Sequence, residues 1–201
     1  MRPAVFLDRD DTLIACRGVA PGGDLGDPAL VRLLPGVLEG CRRLVSEGGF
    51  ALVVVSNQGG VARGRYDEEA VRTVNREVSR QLEDLIDGFY YCPYHPDGAI
   101  PEYAREHPWR KPAPGMLLAA AGELGLDLAR SWMIGDQPRD AAAGKAAGCR
   151  TVLIDAGASK PAASPDAAEF VVPDFASAVE VILRNAGPGE AAPEREERGV
   201  S

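Results

Sequence analysis

The chain has 201 residues, of which 45% are hydrophobic and 26% are charged. These values predict one compact domain over residues 1–186, followed by a charged, disordered tail over residues 187–201 that has few large apolar side chains. Asp and Glu number 30 against 22 Lys and Arg. The resulting formal charge of −8 argues against a surface that binds nucleic-acid phosphates.

The sequence has no apolar run as long as a membrane span, and no secretory segment precedes the first predicted strand. We therefore expect a cytoplasmic monomer with no membrane partner and no nucleic-acid partner. The cysteines lack paired spacing, which indicates free thiols rather than a disulfide framework: Cys16, Cys41, Cys92 and Cys149.

The first predicted strand, residues 4–7, runs straight into an acidic cluster. Asp8, Asp10, Asp11 and Thr12 follow it within five positions. Carboxylates that are gathered together repel one another and lose hydration. Such a cluster indicates a divalent cation, a shared proton or a reacting group.

The next part of the chain predicts a loop, a helix and a second strand. Residues 15–34 are rich in Gly and Pro and have no clear period, which predicts a long loop in which Asp27 or Pro28 opens a short turn. Apolar residues at helical spacing then predict a helix within residues 35–49. A buried strand at residues 50–55 follows and ends in polar residues: Ser56, Asn57 and Gln58.

The middle of the chain has one strongly periodic segment. Residues 66–86 predict a single long amphipathic helix, and residues 89–92 predict a short strand. An irregular segment at residues 93–109 carries both histidines and leads to Arg110 and Lys111.

The last third alternates helices and strands. A helix over residues 116–124 ends at Gly125, and a strand over residues 131–134 runs into a polar segment with Asp136 and Asp140. The remaining predicted elements are a helix at 141–147, strands at 151–154 and 170–172, and a helix at 175–185.

Strands that alternate with helices predict an α/β fold: a three-layer, Rossmann-like parallel sheet with helices on both faces. In such sheets the ligand lies outside the carboxyl ends of the strands. Four polar segments occur at or near these ends, and they should meet in one crevice: residues 8–12, 56–58, 110–111 and 136–140.

These four segments resemble the four ordered motifs of the haloacid dehalogenase (HAD) superfamily of phosphatases. The match runs from the start of the chain to about residue 148 and keeps the order of the motifs, so it is more specific than any single motif. Segments such as 27–36, 61–64 and 110–116 look closest to the branch of heptose bisphosphate 7-phosphatases and histidinol-phosphatases. The resemblance implies an HAD-like domain without a large cap domain.

The resemblance also implies a reaction. Asp8 is the nucleophile that forms an aspartyl phosphate, and Asp10 protonates the leaving oxygen and later deprotonates water. Mg²⁺ between Asp8, the backbone carbonyl of Asp10 and Asp136 cancels the repulsion between substrate and nucleophile. The implied activity is Mg²⁺-dependent hydrolysis of a sugar phosphomonoester, and the most specific expectation is the 7-phosphate of heptose 1,7-bisphosphate.

Other residues receive supporting roles from the resemblance. Ser56 and Lys111 are implied to hold the phosphoryl oxygens, and Asp140 to orient Lys111 or a metal-bound water. Contacts with the substrate are implied for Thr12, Asn57, Gln58 and Arg110.

Four of these residues also have simpler structural interpretations. Ser56 and Asp140 suit helix caps, because their short side chains accept bonds from backbone N–H groups. Lys111 precedes Pro112 and suits an exposed turn, and Arg110 suits a solvated surface charge.

Two features depart from the family pattern. Asp11 stands where relatives usually have Gly, and its carboxylate either adds to the metal site, hinders an anionic substrate or is harmless. Relatives in this branch often bind structural zinc through four ligands, of which only Cys92 and His107 match here. Tyr94 and Trp109 occupy the other two positions, so we expect an apolar plug instead of zinc.

The same residues also suggest other functional classes. An EF-hand calcium loop needs Gly at its sixth position, where this chain has Leu13, and is excluded. A receiver domain also combines an aspartate that accepts phosphate with a hydroxyl and a lysine, but its phosphoacceptor is not on the first strand. A non-catalytic binding protein stays open, and so does a phosphatase for histidinol phosphate or another small phosphomonoester.

Overall fold

A computed structural model describes residues 1–20, 23, 25–155 and 168–186 of the chain. The tail predicted at residues 187–201 lies outside this part. None of the helices in the described ranges has the length and apolar character needed to cross a membrane.

The described residues form six strands and five helices. The strands are β1 (Ala4–Leu7), β2 (Ala51–Asn57), β3 (Gly88–Cys92), β4 (Trp132–Gly135), β5 (Arg150–Ile154) and β6 (Phe170–Val172). The helices are α1 (Val37–Ser46), α2 (Glu68–Gln81), α3 (Gly115–Leu124), α4 (Pro138–Ala147) and α5 (Phe175–Asn185).

All six strands are parallel and join one sheet in the order β3-β2-β1-β4-β5-β6. The predicted Rossmann-like α/β fold is therefore confirmed. The chain winds outward from β1 to β3, and then from β4 to β6 on the other side of β1. The direction of winding changes between β1 and β4, and ligands of such sheets bind outside the carboxyl ends of the strands at this point.

The core has two layers because the strands bury both of their faces. In β1, Val5 and Leu7 face one side and Ala4 and Phe6 face the other. The first side packs against α1, α2 and α5, and the second packs against α3 and α4. Gly144 of α4 lies so close to β4 that an added Cβ would be 2.6 Å from the Met133 Cβ.

The prediction of a single helix over residues 66–86 is wrong at both ends. Asp67 caps α2 by accepting a 2.8 Å hydrogen bond from the Ala70 N–H, so the helix begins at Glu68. It ends at Gln81, because the residues at positions 83 and 84 have φ angles of 53° and 55°, which a right-handed helix cannot contain. The apolar residues after Gln81 still pack against the core from a turn, which explains why the helical period seemed to continue.

The helix predicted at 141–147 starts three residues earlier than expected. Pro138 occupies its first turn, where a missing N–H has no cost. The side chains of Gln137 and Asp140 complete a capping box, which satisfies backbone N–H groups at both positions.

The long loop after β1 is tied together at its base. The Ala15 N–H donates to the Arg32 carbonyl at 3.0 Å, and the Leu34 N–H donates to the Leu13 carbonyl at 2.9 Å. A short 3-10 turn begins at Pro28, and its N-cap is the Asp27 side chain. The predicted turn at this position is confirmed.

Candidate active site

A crevice opens at the carboxyl ends of the strands, where the sheet changes its direction of winding. Its volume is about 500 Å³, which suits a small-molecule ligand. Residues from all four predicted polar segments line it, so the prediction that these segments meet is confirmed. The described lining is Asp8, Asp10, Asp11, Arg17, Gly23, Asn57, Gly59, Arg63, His95, Arg110, Lys111, Asp136, Gln137 and Arg139.

Asp8 lies at the end of β1, on the floor of the crevice. Its N–H donates to the Ile134 carbonyl at 2.9 Å, which joins it to the neighbouring strand β4. Its side chain accepts a 2.6 Å hydrogen bond from Lys111 Nζ. Burial raises the pKa of Asp8 to about 7, although the charge of Lys111 acts in the opposite direction.

Lys111 is enclosed rather than exposed. Only 2% of its surface is accessible, so the interpretation as a surface lysine is wrong. Its Nζ contacts Asp8 Oδ1 at 2.6 Å, Asp140 Oδ1 at 2.7 Å and the Val55 carbonyl at 2.7 Å. Burial alone would lower the pKa of Lys111, but the two carboxylates hold it above its ordinary value.

Asn57 fixes the backbone of Lys111. Its amide nitrogen donates to the Lys111 carbonyl at 2.9 Å, and its amide oxygen accepts from the Lys111 N–H at 3.0 Å. The peptide bond between Lys111 and Pro112 is cis. Asn57 therefore connects the end of β2 to the segment that carries the buried ammonium group.

Asp140 is the third member of the buried charge cluster. It occupies the third position of α4 instead of the N-cap, and its Oδ2 accepts a 2.9 Å hydrogen bond from the Gln137 N–H. Its Oδ1 pairs with Lys111, as predicted. A Cβ at Gly135 would lie 2.4 Å from the Asp140 Cβ, so a glycine at the end of β4 leaves the space that this carboxylate occupies.

Asp10 lies at the crevice wall with 20% of its side chain exposed. Its carboxylate accepts hydrogen bonds from Gln58 and from Arg9, the residue between the two aspartates of the motif.

Three predicted site residues are buried behind the crevice and do not contribute to its described lining. Thr12, Ser56 and Gln58 are each at most 2% exposed. Ser56 lies within β2, so the interpretation as a helix cap is wrong, and its hydroxyl accepts from the Gln58 amide at 2.6 Å. Their predicted contacts with substrate stay predictions.

The acidic residues of the crevice have the chemistry of a magnesium site. Carboxylate oxygens of Asp8, Asp136 and Asp140 lie within 4.8 Å of one another, and hard oxygen ligands suit Mg²⁺. Asp140 is already bonded to Lys111 and to the Gln137 N–H. Asp8 and Asp136 fit a metal ion best, because they line the crevice, whereas Asp140 is fully buried and is not part of the described lining.

The crevice collects positive charge in a protein that is acidic overall. Arg17, Arg63, Arg110 and Arg139 contribute to its lining. Burial lowers the pKa of Arg110, and the nearby charges of Arg139 and Arg63 act in the same direction. Arginines that approach one another in this way favour an anionic ligand, because it offsets their repulsion.

Comparisons with known proteins agree with this geometry. Residues 108–178 match the HAD-hydrolase-like family model. The D-glycero-beta-D-manno-heptose-1,7-bisphosphate 7-phosphatase of Yersinia pestis is 40% identical over 178 residues, which are 87% of this chain and 92% of that protein. The protein of the same name from Escherichia coli K12 is 37% identical over 94% of this chain and 97% of its own length.

The fold is also similar to that of a solved phosphatase structure. The D,D-heptose 1,7-bisphosphate phosphatase of B. bronchiseptica, complexed with magnesium and phosphate, matches with a TM-score of 0.72 and 27% identity over 92% of this chain and all of that one. The chain belongs to the heptose-1,7-bisphosphate 7-phosphatase family of HAD-like hydrolases. It is therefore a phosphoric monoester hydrolase of the HAD type.

The structure explains how this family member accommodates Asp11. The residue has a φ of 59°, a left-handed conformation in which Gly has no steric cost and Asp is tolerated. Its Oδ1 accepts from the N–H groups of Cys16 and Arg17 at 3.0 and 2.8 Å. Its Oδ2 pairs with Arg17, which also contacts Asp136. Asp11 thus ties down the start of the long loop.

The region where relatives in the family were expected to bind zinc contains packed rings. The rings of Tyr94 and His107 stack with centroids 4.3 Å apart, and Tyr90 and Trp109 form a second ring pair at 6.1 Å. The Cys92 Sγ donates to the Tyr94 carbonyl at 3.8 Å. Tyr94 and Trp109 therefore lie among packed rings, but the same rings also line a cavity of about 590 Å³, and the expected absence of zinc stays a prediction.

Several residues near the site were missed from the sequence of this family member. Arg63 and Arg139 lie in segments 61–64 and 136–140 that carried the resemblance, but they were given no role. Arg17 lies in no motif, and His95 was considered only as a neighbour of the zinc positions. Arg9 carried a usable signal, because a charged residue at the end of a buried strand must be paired.

Proposed function

We propose that the protein is a Mg²⁺-dependent phosphatase that removes the 7-phosphate of D-glycero-β-D-manno-heptose 1,7-bisphosphate through an aspartyl phosphate. The observation that carries the proposal is Asp8 at the switch point of the sheet, beside Lys111 and Asp136, in a chain that is 40% identical to a relative of this name. The preference for the β anomer follows from the names of the relatives.

The first chemical step transfers the phosphoryl group to the protein. An Asp8 carboxylate oxygen forms a bond to phosphorus while the bond from phosphorus to the sugar oxygen breaks. Asp10 gives its proton to the leaving oxygen, and such a proton transfer contributes about 10² to 10⁴ in rate. Lys111 places a positive charge beside the nucleophile, and this charge faces the phosphoryl oxygens as they approach.

The second step releases inorganic phosphate. A water oxygen bonds to phosphorus as the bond between phosphorus and Asp8 breaks. Asp10 takes the proton from this water and returns to its starting state. Asp8 recovers its carboxylate, with Lys111 again as its counter-charge.

Asp8, Asp136 and the backbone carbonyl of Asp10 are the groups that would hold Mg²⁺. When bound, the ion supplies positive charge that offsets the repulsion between a dianionic ester and the nucleophile. We assign no corresponding role to zinc, because Tyr94 and Trp109 stand at two of the four positions where relatives carry zinc ligands.

The arginine cluster supplies a place for the rest of the substrate. Gly59 leaves room for it, because an added Cβ would lie 3.1 Å from an Arg63 nitrogen and 3.4 Å from an Arg110 nitrogen. Both arginines line the crevice. We assign the hydroxyls and the second phosphate of the bisphosphate to this side of the crevice.

Phosphate release from a panel of esters tests the proposal. The panel holds both anomers of heptose 1,7-bisphosphate, histidinol phosphate, fructose 1,6-bisphosphate and p-nitrophenyl phosphate, each with Mg²⁺ and with EDTA. We expect kcat/KM for the β anomer to exceed the others by at least about 100-fold, or about 2.7 kcal/mol. We also expect EDTA to remove the activity.

The other outcomes of the panel identify the alternatives. A preference for histidinol phosphate keeps the mechanism and replaces the substrate. Release from none of the esters contradicts the proposed enzyme and favours a phosphate-accepting or binding protein.

Replacing Arg110 with Ala should affect the bisphosphate more than a simple ester. A charge-assisted bond to a second phosphate accounts for about 1.5–3 kcal/mol, so we expect kcat/KM for the bisphosphate to fall about 10- to 100-fold. The value for p-nitrophenyl phosphate should change less than about threefold. Initial-rate kinetics on both substrates measure the difference.

Arg105→Ala is the matched control, because Arg105 stacks on the Tyr94 ring outside the crevice. It should leave both substrates unaffected. Equal losses for both substrates in the Arg110 variant would remove Arg110 from substrate recognition.

The proposal includes a cytoplasmic monomer that acts on a small molecule and has no nucleic-acid or membrane partner. The charge of −8 opposes binding to nucleic acid.

A further inference from the structure

Arg9 lies between the two aspartates of the first motif, and its side chain is fully buried. Its Nε donates to Asp10 Oδ1 at 3.0 Å and its Nη2 to Asp10 Oδ2 at 3.2 Å, a two-pronged contact between guanidinium and carboxylate. Nη1 donates to the Asn75 side chain of α2 at 3.0 Å. Nη2 also reaches the carbonyl of Leu25 at 3.3 Å. One guanidinium thus joins the motif, a helix and the long loop.

Gln58 completes the frame around Asp10. Its amide nitrogen donates to Asp10 Oδ2 at 2.8 Å and to Ser56 Oγ at 2.6 Å. Its amide oxygen accepts from Arg9 Nη2 and from the Tyr66 hydroxyl, both at 2.9 Å. The donors and acceptors around it allow only one orientation of the amide.

The frame distinguishes the two oxygens of Asp10. Oδ2 accepts from both Gln58 and Arg9, whereas Oδ1 accepts only from Arg9 Nε among the described residues. A carboxylate oxygen has two lone-pair positions. Oδ1 therefore keeps one position for a proton, and the side chain reaches the crevice, where it is 20% exposed.

We propose that Arg9, supported by Gln58 and Asn75, is a positioning residue that holds Asp10 so that Oδ1 gives the proton to the leaving oxygen and takes it from water. The inference rests on the proposed function and deepens it. A lysine cannot replace Arg9 in this role, because an ammonium group lacks the planar fork that fixes both oxygens. The same contacts also hold the loop and α2, so the test must separate positioning from stability.

The leaving group provides that separation. p-Nitrophenolate departs without a proton when the bond from Asp8 to phosphorus forms, whereas the alkoxide of a sugar phosphate needs the proton of Asp10. The value of kcat/KM reports the steps up to this first transfer. A misplaced Asp10 therefore lowers kcat/KM for the alkyl ester and leaves it almost unchanged for p-nitrophenyl phosphate.

The test compares Arg9→Lys with the wild-type enzyme on the alkyl phosphate that the wild type hydrolyses best and on p-nitrophenyl phosphate. We expect kcat/KM for the alkyl ester to fall about 10- to 100-fold, part of the full effect of an acid–base group, and the aryl value to change less than threefold. Because water attack also needs Asp10, rapid mixing of the variant with the aryl ester should show a burst of p-nitrophenolate equal to the enzyme concentration.

Arg2→Lys is the matched control. Arg2 also joins chain segments through its guanidinium, with bonds to the Gly49 and Phe50 carbonyls at 3.1 and 2.5 Å, at the opposite end of the sheet. The Arg2→Lys variant should unfold at a lower temperature, while its kcat/KM values for the alkyl ester and for p-nitrophenyl phosphate stay the same. Asp10→Asn should show the Arg9→Lys pattern with a larger loss for the alkyl ester.

A second variant tests the same frame if Arg9→Lys does not fold. Asn75→Ala removes a partner of Arg9 from a helix position where Ala is favourable. We expect a loss of several-fold for the alkyl ester alone. Equal losses for both esters, or no loss for either, in a folded variant would overturn the role of Arg9. A wild type that hydrolyses no ester instead contradicts the proposed function.

Discussion

Asp8→Asn should lower turnover by about 10⁴-fold or more while the protein stays folded. The amide has the shape of the carboxylate but is a very poor nucleophile, so no aspartyl phosphate forms. Lys111 keeps its ion pair with Asp140 in the variant, which prevents an unpaired buried charge. Phosphate release from the best substrate of the panel and thermal unfolding measure the two parts of this prediction.

In the absence of metal ions, the stability of the Asp8→Asn variant relative to wild type should depend on pH. Burial raises the pKa of Asp8 from 3.8 to about 7 in the folded state. The folded protein therefore binds this proton more tightly than the unfolded chain, and the contribution of Asp8 to stability falls as pH rises from about 4 to about 7. Asn has no such titration. The Tm of the variant relative to wild type should accordingly be higher at about pH 8 than at about pH 5.

Asp97→Asn is the control for the change in charge. The Asp97 side chain is 90% exposed, so this variant should keep the activity of the wild type and a stability close to it. Turnover of Asp8→Asn within tenfold of wild type, with the amide intact by mass spectrometry, would overturn the assignment of the nucleophile.

Lys111→Met should lower both stability and activity. Lys111 Nζ lies 2.6 Å from Asp8 and 2.7 Å from Asp140, and the substitution leaves these buried carboxylates without their counter-charge. Breaking a buried ion pair on one side costs about 3–5 kcal/mol. Because Lys111 is proposed to face the phosphoryl oxygens, we expect its loss to lower kcat by about 10² to 10³. Chemical denaturation and steady-state kinetics measure the two effects.

A second substitution separates these effects. In the double variant Lys111→Met/Asp140→Asn, a neutral amide replaces one of the two buried carboxylates that have lost their counter-charge. Part of the stability should therefore return, while the activity stays low. Lys145→Met changes an exposed lysine of α4 and should cost at most about 0.5 kcal/mol. A Lys111 variant as stable as the Lys145 variant would contradict the buried charge cluster.

The boundaries of α2 and α4 mark the limit of reasoning from local pattern. Apolar periodicity extended α2 to position 86, but two left-handed residues after Gln81 end it and the apolar side chains pack from a turn. Hydrophobic period reports which side chains are buried, and it does not report the backbone angles that carry them. The polar segment before Ala141 was placed outside the predicted helix, but its last three residues form the first turn of α4.

The sequence by itself determined the α/β class, the order of the elements and the meeting of four polar segments. These follow from alternating strand and helix periods and from the rule that parallel strands present their carboxyl ends at one edge. It also determined the family, because motif order along a chain is visible without a structure.

Only the tertiary structure decided which partners the charged groups contact. Lys111 reaches Asp8 across 103 positions, and Arg9 reaches Asn75 across 66. No local pattern records such pairs, because they depend on how strands and helices pack. Burial determines how strong these charges are. The same lysine in a solvated turn would have a weak, screened charge, whereas here it is enclosed between Asp8 and Asp140.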